Sequence, residues 1–303
     1  MKILYCIQND LVEDVLKRKR LINKNSLIIR NKKELTFNKV RKIDPDFIMF
    51  PHWSYLVPEK IVNDFKCICF HSSPLPYGRG GSPIQNMIKN GFSETEVCSL
   101  LMKKELDTGP VYLRTKIDLS GTLDEILIRA YEAIAQQIKI LKSTKIIPKP
   151  QEEASFNFQR LSLKDNSIDF HKDLKNIYDQ IRMLDSDIYP KSYTYKDDYL
   201  LSFENAYIKN DSITANVTIK KKVSIRDIKF SDSREIWEWR NNRITREMFK
   251  TKDFIEYDDH LQWFKSKIKD KNTYFFMGTA FGINAGVVRI DVLKNYGEVS
   301  INS

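Results

Sequence analysis

Four short apolar runs punctuate the first seventy residues: KILYCI at 2–7, SLIIR at 26–30, DFIMF at 46–50 and CICF at 67–70. Helical patterns fill the gaps between them. Leu11, Val12, Val15 and Leu16 follow the first run, a second pattern runs from about Leu35 to Ile43, and a short one lies near Pro58–Phe65. Short apolar strands separated by helical connectors predict an α/β fold, a Rossmann-like and mostly parallel sheet with helices on both faces. After the first run the chain reads QNDLVED, without GxGxxG, which argues against a nicotinamide dinucleotide site.

The pattern continues with SPIQNMIKNG, which reads as a helix with Ser82 as N-cap, Pro83 in the first turn and Gly91 at the end. VCSLLM at 97–102 and VYLRTKIDL at 111–119 read as strands. Residues 121–143 form the strongest helical pattern. Its stripe of Ile126, Leu127, Ala130, Ala133, Ile134, Ile138 and Leu141 is explained by core packing and needs no ligand. KIIPKPQEEAS at 145–155 reads as a linker. Beyond it come a helix at Leu174–Leu184 and polar-turned antiparallel strands over 193–219, expected as a small barrel-like appendage. The chain thus divides into three segments: 1–150, a small β-rich subdomain at 151–222, and 223–303.

Charge and composition narrow the function classes. No run of about 18 apolar residues exists, so no membrane span is expected. The apolar N-terminal run is too short for a secretory signal, which points to the cytoplasm. The net charge of +10 comes from 50 basic and 40 acidic residues, scattered and interleaved. LKRKR at 16–20 reads as a solvated helix face rather than a nucleic-acid patch. Cys6, Cys67, Cys69 and Cys98 show neither CxxC nor zinc spacing, so buried reduced thiols and no metal are expected.

The chemistry concentrates in CFHSSPLPYGRGGSPIQ at 69–85 and LDTGP at 106–110. His71 directly follows an apolar strand and is suited to proton transfer near neutrality. Pro74 and Pro76 fix the following turn. Gly78, Gly80 and Gly81 allow close backbone approach to a ligand. Arg79 between them suits a phosphate or carboxylate. Asp107, 36 residues after His71, suits a carboxylate that orients the imidazole.

These motifs give the sequence a specific resemblance. Cys69-Phe70-His71-Ser72-Ser73-Pro74-Leu75-Pro76-Tyr77-Gly78-Arg79-Gly80, then Leu106-Asp107-Thr108-Gly109, resembles the hydroxymethyl- and formyltransferase family over residues 1–205. That family includes glycinamide ribonucleotide, methionyl-tRNA and nucleotide-sugar N-formyltransferases. The resemblance implies N10-formyltetrahydrofolate as co-substrate, with His71 and Asp107 catalytic. It implies Trp53, Tyr55, Met102, Leu106 and Asp107 beside the folate. Ser73, Arg79, Gly80, Arg182 and Tyr189 are implied on the acceptor side. Cys69 occupies the family's asparagine position. A thiol is a weak donor, so Gln85 or Asn86 is the alternative source of an oxyanion contact, and a nucleophilic Cys69 is a third option.

From Ser224 onward, WEWRN at 237–241, HLQWF at 260–264 and the runs YFFM, GVVRI and EVSIN resemble the opening of a GNAT acetyltransferase of the amino-sugar, pseudaminic-acid type. By that resemblance Trp239, Arg240, Asn241 and His260 would face a sugar. The Gly-rich turn that cradles coenzyme A does not follow EVSIN, so acetyl-CoA is not expected as a ligand. Together the two resemblances imply formylation of a nucleotide-linked amino-deoxy sugar, with a UDP-4-amino-4,6-dideoxyhexose first in line. Methionyl-tRNA and a non-catalytic binding module are the alternatives. An exposed strand edge in the last segment would favour a homodimer.

Overall fold

The computed structural model describes residues 1–152, 155–249, 251–294 and 296–302. They form two compact units, Met1–Tyr193 with Phe203–Asn216, and Thr194–Ser202 with Val217–Ser303. The sequence reads as three segments; by contacts, residues 151–193 belong with the first.

The first unit begins with β1 (Ile3–Ile7), α1 (Asp10–Arg18), β2 (Leu27–Ile29), α2 (Phe37–Ile43), β3 (Phe47–His52), α3 (Glu59–Asp64) and β4 (Cys67–His71). It continues with β5 (Tyr77–Gly80), α4 (Pro83–Lys89), β6 (Glu94–Leu101), β7 (Val111–Asp118), α5 (Leu123–Ser143), β8 (Phe156–Phe158) and α6 (Leu174–Arg182). Six strands make one sheet in the order β2-β1-β3-β4-β6-β7. The pairs β1–β2, β1–β3 and β3–β4 are parallel, and β4–β6 and β6–β7 are antiparallel. The strand order reverses between β1 and β3, where open α/β sheets form ligand crevices.

Both faces of this sheet are covered, as the apolar runs require. Val12, Val15 and Leu16 of α1 and the Ile126-to-Leu141 stripe of α5 pack with Tyr5, Met49 and Ile68. On the other face Val40 of α2 and Ile61 of α3 pack with Leu4, Cys6, Ile48, Phe50 and Cys67. Thr122 and Glu125 form a reciprocal capping box that starts α5. The helix at 83–89 begins without a side-chain cap. Ser82 is left-handed, with φ 50°, and its hydroxyl accepts from Leu161 N instead, at 3.2 Å.

Two expectations are corrected here. The glycine-rich stretch is not a free loop: β5 pairs in parallel with β8. The 145–155 stretch is not a bare linker either, because Lys149 exchanges two backbone hydrogen bonds with Val111, 2.7 and 2.9 Å. Glu153 and Ala154 of that stretch lie outside the described residues.

β9 (Ser192–Lys196), β10 (Tyr199–Lys209) and β11 (Ser212–Lys221) form an open three-stranded sheet in the order β11-β10-β9, rather than a barrel. Residues of these strands fall in both units. Within the first unit, Ile177 and Ile181 of α6 pack with Ile168, Phe203 and Ile213.

The second unit contains β12 (Val223–Asp227), α7 (Ser233–Asn241), α8 (Arg243–Met248), α9 (Tyr257–Lys269), β13 (Thr273–Ala280), β14 (Ile283–Val292) and β15 (Gly297–Asn302). Its sheet is antiparallel throughout, in the order β12-β13-β14-β15. Ile236 of α7 and Phe264 of α9 pack on Phe275, Met277 and Val287. Ile225, Tyr274, Val299 and Ile301, at positions alternating with those core residues across the registered strands, are exposed. Among the described residues no helix is long and apolar enough to cross a membrane, and no cluster of three or more His, Cys, Asp or Glu could hold a metal.

Candidate active site

Successive residues of a strand point to opposite faces, so Cys67, Cys69 and His71 share one face of β4. His71 is buried at the end of that strand. Its Nε2 lies 2.7 Å from Gly78 O, and its Nδ1 lies 3.5 Å from Asp107 Oδ2. Both partners are acceptors. A neutral imidazole can donate to one of them, a cationic one to both.

Asp107 reaches His71 by an excursion that strand periodicity does not reveal. Leu101 at the end of β6 pairs with Ile68, and Met102 N donates to Cys67 O at 2.8 Å, both well before His71 on β4. The turn at 102–110 therefore runs back along β4. Asp107 is left-handed there, with φ 57°. Its Oδ2 accepts from Gly80 N at 2.9 Å, so one carboxylate oxygen serves both motif loops.

Two glycines have no substitute in this arrangement. Gly80 has φ +100°, and a Cβ there would stand 2.6 Å from Phe158 O. A Cβ on Gly109 would stand 1.6 Å from Leu101 O. The Leu-Asp-x-Gly turn thus needs its glycine for close backbone approach, not for ligand contact.

Cys69 is half-buried next to His71. Burial pushes its thiol well above the ordinary range, and the Asp107 carboxylate pushes it further. That direction favours the thiol over the thiolate at neutral pH. The proposed substitutes for the missing asparagine are also committed elsewhere. Asn86 Nδ2 donates to the carbonyls of Gly81, Ser82 and Gln159 at 3.0–3.1 Å. Gln85 is buried and hydrogen-bonds the Tyr189 hydroxyl.

The aromatic loop after β3 meets expectation in part. Trp53 and Met102 pack with Cys69 against the same core cluster, and Trp53 makes an edge contact with Tyr55, centroids 5.5 Å apart. Trp53 Nε1 is buried and has no hydrogen-bond partner among the described residues. Tyr55 is partly exposed under Lys32, and Leu106 is exposed.

Four of the five residues expected on the acceptor side make contacts within the protein. Ser73 is fully buried and its hydroxyl donates to Gly78 O at 3.0 Å. Arg79 donates twice to Gln151 Oε1, at 3.1 and 2.8 Å. Arg182 is buried, paired with Asp179 at 2.6 Å, and donates to the carbonyls of Leu119 and Gly121. Tyr189 packs against the main core, and burial raises its hydroxyl pKa. In the second unit, Asn241 exchanges two hydrogen bonds with the Ile255 backbone, Arg240 donates to Thr251 O, His260 bonds Ser233 O, and Trp239 packs on the core.

The structure adds residues that the motifs did not indicate. Asn9, directly after β1, and His52, ending β3, meet at the reversal of strand order through Tyr131. The Tyr131 hydroxyl lies 2.9 Å from His52 Nδ1 and 3.5 Å from Asn9 Nδ2. Burial lowers the His52 pKa to about 4, so the ring is neutral near pH 7. Gln8 Oε1 accepts from Ser54 N at 2.8 Å and ties the two crevice loops. Polar residues just past an apolar strand were the available signal.

Comparison with known proteins agrees with this geometry. Residues 5–137 match the family described as formyl transferase, and residues 163–220 match the methionyl-tRNA formyltransferase C-terminal domain. A curated methionyl-tRNA formyltransferase from Sulfurihydrogenibium sp. is 32% identical over 176 residues, 54% of this chain and 55% of that protein. The first curated relatives are matched over only 42% to 62% of their length. A sugar N-formyltransferase structure from Shewanella sp. shares the fold at TM-score 0.52 and 16% identity, over 71% of this chain and 96% of that one. The structure of a methionyl-tRNA formyltransferase from Clostridium thermocellum superposes with TM-score 0.70 at 37% identity, over 73% of this chain. Because that similarity takes in 99% of the Clostridium protein at 37% identity, the chain belongs to the formyltransferase family.

Proposed function

We propose that the chain transfers a formyl group from N10-formyltetrahydrofolate to the primary amine of a nucleotide-linked amino-deoxy sugar. The observation that carries formyl transfer is the convergence of His71 Nδ1 and Gly80 N on one carboxylate oxygen of Asp107, at the end of the strand whose Cys69 packs on the same core cluster as Trp53 and Met102. The unpartnered Trp53 N–H and the apolar wall suit a flat heteroaromatic ring with acceptor atoms at its edge. The bound folate would supply an activated formyl carbon.

The residues then divide the proton work. The acceptor amine forms a C–N bond to the formyl carbon as the bond to N10 breaks. His71 removes the proton that the amine sheds and returns it to the departing nitrogen, so charge and atoms balance. Asp107 stabilises the imidazolium that forms in between and fixes the ring. Cys69 leaves the growing charge on the formyl oxygen without the amide donor of the family pattern.

The sugar half rests on the amino-sugar acetyltransferase resemblance of residues 223–303. The net charge of +10 suits a diphosphate. A second reading, methionyl-tRNA as acceptor, is favoured by the names of the relatives and by the match at residues 163–220. Incubation with N10-formyltetrahydrofolate and a panel of UDP-4-amino-4,6-dideoxy sugars, read by mass spectrometry, tests the proposal. One added formyl group that disappears in His71→Ala supports it. Formylation of methionyl-tRNA and of no sugar overturns the sugar half.

A further inference from the structure

The turn that carries Asp107 has almost nothing of its own to hold it. Lys103, Lys104, Glu105 and Leu106 are all exposed, and no apolar side chain from 103–108 is buried. A left-handed aspartate in such a turn needs outside support to keep one geometry. Gly80 N supplies one bond to its carboxylate. Thr108 Oγ1 donates to Glu105 O at 3.0 Å within the turn, the exposed Lys104 pairs with Glu59 at 3.2 Å, and the remaining bonds to the turn backbone come from Gln151, in the stretch between α5 and β8.

Gln151 Nε2 donates to Asp107 O at 2.8 Å and to Gly109 O at 2.7 Å. Its Oε1 accepts from Arg79 Nε at 3.1 Å and Nη2 at 2.8 Å. A primary amide has two N–H donors and one oxygen with two lone pairs, and all are used. The amide orientation is fixed by chemistry, because carbonyls only accept and a guanidinium only donates. The Lys149–Val111 backbone pair, two residues away, anchors the segment to β7. One side chain thus spans the Asp107 turn and the glycine-rich loop that faces His71.

We propose that Gln151 is a positioning residue for the formyl-transfer site, holding the Asp107 turn against the Arg79 loop so that the carboxylate meets His71. This rests on the function proposed above. The His71–Asp107 separation of 3.5 Å is already at the long end for a hydrogen bond. A further slip of about 1 Å in the turn costs a large part of the rate. Trp53, on the loop after β3, lies on an element that Gln151 does not touch, whereas Met102 begins the turn itself.

The test compares wild type with Gln151→Ala and Gln151→Glu. The glutamate keeps an acceptor for Arg79 but cannot donate to the carbonyls of Asp107 and Gly109. Nitrogen-15 labelling of histidine gives a direct readout in the free protein, since only His52, His71, His171 and His260 are present. At fixed pH both variants move the His71 ring resonances and leave the other three in place. In turnover, kcat falls roughly ten- to a hundredfold with KM for the folate within about twofold. Unmoved His71 resonances in both variants overturn the proposal, as does a Gln151→Glu protein that keeps the wild-type spectrum and kcat. The spectra need no acceptor. A wild type that formylates nothing therefore refutes the functional reading alone, while the resonances still decide the role of Gln151.

Discussion

The two units carry the same kinds of side chain and use them differently. In the first, the sheet is covered on both faces, so its polar residues collect where strands end. There His71 and Asp107 face each other with short loops between them and the surface. In the second, helices cover one sheet face, and the polar residues that look like site residues spend their hydrogen bonds on nearby backbone. Asn241 closes the loop before α9 through Ile255, and His260 is pinned under Ser233. Residue type nominates a site. What distinguishes His71 from His260, each bonded to a backbone carbonyl, is the Asp107 carboxylate on its other ring nitrogen.

The sharpest way to break this comparison is to remove the groups assigned to chemistry. His71→Ala or Asp107→Asn should lower kcat/KM by roughly a hundred- to ten-thousandfold with little change in thermal midpoint, as loss of proton transfer does. Steady-state kinetics on the folded variants checks this. A loss of less than about tenfold would mean that the paired motifs are architecture.

Next in size is Arg182→Met. Removing it leaves the buried Asp179 with Lys175 alone, 3.2 Å away, and takes the donor from the Leu119 and Gly121 carbonyls, which costs about 1–3 kcal/mol. Urea unfolding should show that loss, and activity per folded molecule should stay near wild type. Unchanged stability with a raised acceptor KM would return Arg182 to the substrate side.

Much of this was legible in the chain. The four apolar runs and the α5 stripe became strands and a helix because periodicity reports burial directly. The pairing of His71 with Asp107 was legible only through the family resemblance of the two motifs, and the structure brings the two side chains within 3.5 Å. The burial of Arg182 was not legible, because a charged residue on an amphipathic helix gives no sign that Asp179 and the Leu119 carbonyl await it. Gln151 was invisible for a similar reason. It sits in a Pro- and Lys-containing stretch with no periodicity, and its partners lie more than 40 residues away in sequence. The pairing of β5 with β8 is equally nonlocal.

A pH experiment probes the Asn9–Tyr131–His52 group. The His52 pKa is lowered to about 4 in the folded protein, against about 6.5 in an unfolded chain. Between those values the unfolded state binds more protons, so stability falls as pH drops through that window and is flat below it. The loss is a few kcal/mol at most. Urea midpoints at pH 7 and pH 5 should differ more in wild type than in His52→Gln. Equal differences would place His52 in solvent. Smaller again is Asn241→Ala, which should lower the stability of the second unit by about 1–2 kcal/mol through the lost Ile255 bonds and leave formyl transfer unchanged.

The smallest expected effect tests the comparison at its most exposed point, Cys69. It sits two residues from His71 on the same strand face, where a functional reading is most tempting. Yet burial and the Asp107 carboxylate favour its thiol over the thiolate, and a thiol is a poor donor to a developing oxyanion. Cys69→Ala should therefore change kcat by less than about threefold, within the range of a lost weak contact. Iodoacetamide at pH 7.5 should leave activity intact for the same reason. Cys69→Asn restores the donor of the family pattern at the same strand position. If the site lacks an oxyanion contact, that variant should gain rate, since one such donor is worth on the order of a hundredfold elsewhere. A fall in rate with Cys69→Ala beyond tenfold would show that the thiol itself stabilises charge. The unspent group in this site would then be sulfur.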